Sequence, residues 1–144
     1  MIFPLPWCHY MSKKKELLHQ TYDQNIISAI NKLHFPIKGV GGKEFFIRCR
    51  ARKESGVEHI ARKDHRLKVR DIEEITKILK HPQYACEDPD NKIYRDYYGI
   101  RKGKDQDSFI KIVTSPIKND KTKEEIVTIY PTNSIKVEKA KKKR

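Results

Sequence analysis

Apolar positions in the first part of the chain recur every three or four residues. Leu18, Tyr22, Ile26, Ile30 and Leu33 do so between Lys14 and Phe35, which predicts an amphipathic helix. Pro36 and the Gly39–Gly42 run end it. Glu44–Arg50 (EFFIRCR) is compact and aromatic and reads as a strand. After polar Arg52–Ser55, a short helix opens at Gly56, because Val57, Ile60 and Ala61 can share one face. A further helix is expected from Val69 to Lys80, striped by Ile72, Ile75, Ile78 and Leu79. Asp71 is its expected N-cap, with Glu74 three residues on, and His81–Pro82 stops it.

Beyond Pro82 the period shortens. Tyr84–Cys86, Lys92–Ile100, Phe109–Ser115 and Glu124–Tyr130 are β-branched or aromatic runs, separated by turn-like EDPDN, RKGKDQD and SPIKNDK. Short links between consecutive strands imply an antiparallel meander. The expected fold class is therefore α+β: N-terminal helices packed on a twisted antiparallel sheet of about four to five strands. Residues 14–132 are expected to form a single domain, with a disordered leader over residues 1–13 and a frayed Lys-rich tail over residues 133–144. Met11, followed by SKKKELL, would be a normal-looking start.

Strand alternation assigns faces. In EEIVTIYPTN, Val127 and Ile129 fall on one face and Ile126, Thr128 and Tyr130 on the other. Val127 and Ile129 suit the helix-covered side. If Ile110 and Ile112 also join the core, Lys111 emerges beside Thr128 and Tyr130. A cation, a hydroxyl and a phenol then converge on one open face, where they can bond a phosphate or stack on a base. Thr, Tyr and Lys are also ordinary residues of half-solvated strands, so packing alone accounts for each singly. Tyr94, Tyr97 and Tyr98 with Arg95 form a second aromatic and basic group, read either as base-stacking or as sheet packing.

Charge narrows the partners. The chain has 144 residues, 32 Lys plus Arg against 19 Asp plus Glu, and a net charge of +13. That balance favours polyanions, nucleic acid before an anionic membrane. Residues 43–70 carry +6 and residues 132–144 carry +5, whereas residues 84–100 carry −2. Cys8, Cys49 and Cys86 are odd in number and show no zinc spacing, which reads as reduced thiols of a cytoplasmic protein. No stretch has the apolar length of a membrane span, and the prolines of MIFPLPWCHY argue against a secretory signal. The GVGG run lacks the strand, helix and lysine context of a phosphate-binding loop.

Gly56–Arg70, GVEHIARKDHRLKVR, sets His59 and His65 among Arg62, Lys63, Arg66, Lys68 and Arg70. Imidazole takes and gives a proton near neutral pH, and guanidinium and ammonium groups hold a phosphodiester and offset charge developing on it. The pair is the minimum apparatus for cutting RNA without a metal. The alternative is a solvated basic segment that contacts phosphate and does no chemistry.

The order HIARKDH, DIEEITKIL ending in HP, YY and KIV strands and a final IVTIY strand resembles the phage-borne branch of the barnase/EndoU/colicin/RelE-like nuclease superfamily. Such proteins occur on phages and integrated mobile elements. The likeness spans residues 44–132. It implies a barnase/EndoU/RelE-like sheet and a metal-independent endoribonuclease without cofactor. By resemblance, His59 is the acid/base with Arg62 as phosphate ligand, and His65 is the competing histidine. Lys111 stabilises developing charge, Thr128 bonds a non-bridging oxygen, and Tyr130 orients phosphate or base. Lys63, Arg66, Arg95 and Tyr98 are the candidate substrate contacts. The chain departs from the family in showing neither a second histidine on the sheet nor a glutamate placed as a barnase-type base.

The implied chemistry is attack of the ribose 2′-OH on phosphorus, leaving a 2′,3′-cyclic phosphate. RNA is then the expected partner. A toxin role would add a neutralising antitoxin or immunity protein; the expected location is the cytoplasm, with delivery by phage or secretion as an effector as the alternatives. Two rivals are a nucleic-acid-binding module without catalysis and a mobile-element interaction protein using the same basic face.

Overall fold

The computed structural model describes residues 22–47, 57–62, 66–102 and 109–133. Helix α1, Gln24–Asn31, starts where Asp23 accepts the backbone N–H of Asn25 at 2.9 Å. That satisfies a donor the first turn cannot. Ile26, Ile27, Ala29 and Ile30 form its buried stripe. Strand β1, Ile37–Lys38, turns through a short 3-10 segment at Val40–Gly42 into β2, Glu44–Ile47. Gly41 and Gly42 make that turn with φ of 69° and 73°, a region open to glycine without steric penalty.

Helix α2, Val57–Ile60, buries Val57 and Ile60, and Ala61 follows into the same core. The expected helix from Val69 to Lys80 is two short helices, α3 (Val69–Glu73) and α4 (Ile75–Lys80), joined at Glu74. Its cap differs from the expectation. Lys68 occupies the N-cap, and Asp71 sits three residues inside, accepting the Lys68 backbone N–H at 2.8 Å. Asp71 is drawn there because it also pairs with Arg101. His81 caps α4.

Four further strands complete the sheet: β3 (Tyr84–Glu87), β4 (Arg95–Ile100), β5 (Phe109–Ile117) and β6 (Asp120–Thr132). The sheet order is β1-β2-β6-β5-β4-β3. The α+β class holds, but the sheet has six strands and is mixed, because β2 runs parallel to β6. The meander from β3 to β6 is antiparallel, as the short links between its strands imply. No short link joins EFFI to β6, so its parallel partner at Lys123–Ile126 is invisible to turn logic. The SPIKNDK segment is largely strand, and the turn tightens to Lys118–Asn119 with Asn119 at φ 68°.

The helices cover one face. Ile26, Ile30, Ile60, Ile72, Ile75 and Leu79 pack with Phe45, Tyr97, Ile110, Ile112, Ile126 and Ile129. The placing of Ile126 corrects the face assignment. The register slips between Val113 and Thr114, so that Thr128 pairs Val113 while Ile126 pairs Thr114. Val127 is the extra residue of this bulge. The alternation therefore restarts, and Ile126 and Ile129 share the helix-covered face.

Candidate functional site

The face away from the helices is organised in rows by strand register. One row across β3, β4, β5 and β6 reads Cys86, Asp96, Val113, Thr128. The next reads Tyr84, Tyr98, Lys111, Tyr130. Lys111, Thr128 and Tyr130 thus share one face, with Tyr130 directly across from Lys111. Neighbouring strands lie about 4.8 Å apart, so the members of a row are in side-chain contact.

Lys111 is not the solvated cation that alternation alone suggests. It is only 5% exposed. Its Nζ stands 3.5 Å from Asp88 Oδ2 and 3.4 Å from Asp96 Oδ2. It also lies 5.3 Å from the Tyr130 ring centre and 5.9 Å from that of Tyr98, within cation–π range. Burial alone would pull its ammonium down, but Tyr130, Asp96 and Tyr98 outweigh burial and hold it above its ordinary value. Lys111 is a cation throughout the working pH range.

The two aspartates differ. Asp88 closes the turn after β3, accepting the backbone N–H groups of Asp90 at 2.8 Å and Asn91 at 3.2 Å. Burial would raise its carboxyl, but Asp96, those backbone donors and Lys111 bring it below the usual value. Asp96 has no backbone donors. Burial pushes it up to about 7 against the pull of Lys111, and Asp88 adds to the rise. Asp96 Oδ2 stands in the ion pair with Lys111, whereas the buried hydroxyls of Tyr98 and Thr128 meet no hydrogen-bond partner.

The other candidate residues are distributed differently. His59 lies in α2, on the helix-covered side, and its side chain is outside the described residues, as are His65 and Lys63. Helix α2 packs against β6, and the chain beyond it forms a bridge from Arg62 to Tyr22. Among the described residues, β2 pairs with β6 from Lys123 to Ile126. Arg62 and Arg66 are exposed. Arg66 adopts φ 59°, and its carbonyl accepts Arg101 Nη2 at 3.1 Å.

Arg95 and Tyr98 do not form a stacking platform. Tyr98 is fully buried and packs against Tyr84 with ring centres 6.3 Å apart. Arg95 pairs Thr114 and points to the other face, its Nε 3.5 Å from Glu124 Oε2. There Glu124, 1% exposed, accepts Lys43 Nζ at 2.6 Å, Tyr97 Oη at 2.8 Å and Thr114 Oγ1 at 2.7 Å. This network ties β2, β4, β5 and β6 together. A cleft lined by Ala85, Cys86, Glu87, Arg95, Asp96 and Tyr97 runs along β3 and β4.

Asp88, Asp96 and Glu124 were missed as site residues. Asp88 was explained by its turn alone. The signal for Asp96 was a carboxylate two positions from Tyr98 inside a strand, which alternation sends to the Tyr98 face. Among the described residues, no helix is long and apolar enough to cross a membrane. Comparison with known proteins returns no match to any family model, curated protein or solved structure.

Proposed function

We propose that the protein is a metal-independent endoribonuclease of the barnase/EndoU/RelE-like kind. The observation that carries this reading is the row of Lys111 and Tyr130 with Thr128 beside it, where the Thr128 hydroxyl has no protein partner. A hydroxyl kept unpaired beside a fixed cation is suited to a non-bridging phosphoryl oxygen. Tyr130, half-buried above Lys111, orients the phosphate, and Lys111 acts on it from beneath rather than by direct solvent-side contact. The resemblance assigns the 2′-OH proton to His59 or His65, the phosphate contact to Arg62 and the proton for the leaving 5′-oxygen to a second group; helix α2, which carries His59, lies on the other side of the sheet from Thr128. The product is a 2′,3′-cyclic phosphate.

Incubation with total RNA in EDTA, beside His59→Ala and His65→Ala, tests this. Acid–base catalysis contributes ~10²- to 10⁴-fold, so one of the two changes is expected to cost about that. RNA left intact by the unaltered protein would end the proposal.

One observation favours a second reading. Lys111 is committed to Asp88 and Asp96, as a structural cation would be. A nucleic-acid-binding module would then use the net charge of +13 without chemistry. It would bind RNA in a salt-dependent way that neither histidine change alters.

A further inference from the structure

Among the described residues, the buried hydroxyls of Tyr98, Thr128 and Thr132 on the face away from the helices meet no hydrogen-bond partner, and Asp96 is held by the 3.4 Å ion pair of its Oδ2 with Lys111. A polar atom buried without a partner loses the water it would otherwise bond. The gathering of Asp96, Tyr98 and Thr128 on β4 and β6, the strands on either side of β5, calls for an explanation other than stability. They surround Lys111, which has a carboxylate at 3.4 Å and another at 3.5 Å. One ammonium balances one carboxylate. With both carboxylates ionised the cluster is a net anion, and with one protonated it is neutral.

We infer that Asp96 sets the charge of this cluster and thereby gates the face. With its proton, it leaves a neutral Asp88–Lys111 pair and lets a phosphodiester reach Thr128 and Tyr130. Without it, the cluster becomes a buried anion that turns the phosphodiester away. The inference rests on the reading of this face as the RNA site and adds its regulation by pH.

The register supplies the geometry. Asp96, Val113 and Thr128 are in one row, and Tyr98, Lys111 and Tyr130 are in the next. The charge on Asp96 is therefore two strands from the Thr128 hydroxyl, with buried, apolar Val113 between them. An interaction across such a medium is less screened than one at the surface. The groups facing Asp96 are Cys86 from β3, Asp88 from the turn, Tyr98 from β4, Lys111 from β5 and Tyr130 from β6. Burial raises the Tyr98 phenol, and Lys111 is held above its ordinary value. Neither changes charge near neutral pH. Burial pushes Asp96 up to about 7, and Asp88 is held below the ordinary carboxylate value. The proton therefore resides on Asp96.

The test is binding of an uncleavable 2′-O-methyl oligonucleotide at pH 6 and pH 8, to the unaltered protein and to Asp96→Asn. The unaltered protein is expected to lose about tenfold in affinity over that interval, and the variant less than about twofold. An equal loss in both overturns the inference. Asp96→Glu keeps the carboxyl and is expected to keep the loss. Carbon-13 titration of the aspartate carboxyls in the unaltered protein decides the point without any variant. One carboxyl titrating near neutral supports it, and all of them titrating below about pH 5 overturns it. Cleavage of ordinary RNA is read in parallel. An Asp96-dependent loss of binding without cleavage at either pH would sink the nuclease reading alone.

Discussion

Lys111 is held inside the protein by side chains from three other parts of the sheet, and its removal would strand two carboxyls. Lys111→Ala is expected to destabilise the fold by about 3–5 kcal/mol, read as a drop in the urea midpoint. Thr128→Val separates function from stability. The hydroxyl it deletes has no partner, so the melting temperature should stay level or rise, while RNA cleavage should fall at least ~tenfold. Retained cleavage would remove Thr128 from the site. The Asp96 carboxyl stands at about 7 in the folded protein against an ordinary 3.8. The folded state thus binds this proton more tightly than the unfolded chain, and its contribution to stability is fully present below about pH 4 and lost by about pH 7. Asp96→Asn, uncharged throughout, should lack that loss. Melting curves of the two proteins between those pH values should therefore converge at the acid end and separate toward neutral, with the variant the more stable. At this scale the strand period revealed Lys111, Thr128 and Tyr130. It left Asp96 unread, because nothing in the local pattern says that a strand carboxylate will find a buried lysine.

The elements meet at close contacts that tolerate little change. Gly99 of β4 lies under α4, and a Cβ there would collide with Ile78 Cγ1. Gly99→Ala is expected to cost about 1–3 kcal/mol by displacing α4 from the sheet, which a shifted denaturation midpoint would show. At the other end of α3, Asp71 and Arg101 form a buried fork with contacts of 3.1 and 2.9 Å. The same guanidinium reaches the Arg66 carbonyl. This fork fastens the end of β4 to the start of α3. Helix stripes and the strands of the meander were legible because period and turn residues are local properties. The Lys68 cap was not legible, since the choice between Asp71 as cap and Asp71 as partner of Arg101 is made by a residue 30 positions away.

Across the whole molecule the net charge of +13 makes any RNA affinity electrostatic in large part. Binding should weaken steeply between low and physiological salt, with a log–log slope that counts the phosphates released from counterions. A flat salt dependence would remove nucleic acid as the partner. Composition and local pattern by themselves determined the charge, the α+β class, the helix stripes and the four-strand meander, because each depends on neighbours within a few residues. Only the tertiary structure decided the parallel placement of β2 beside β6, the bulge at Val127 that returns Ile126 to the core, and the capture of Lys111 by Asp88 and Asp96. These follow from long-range pairing, in which one register slip changes a face and one buried charge must find its counterion.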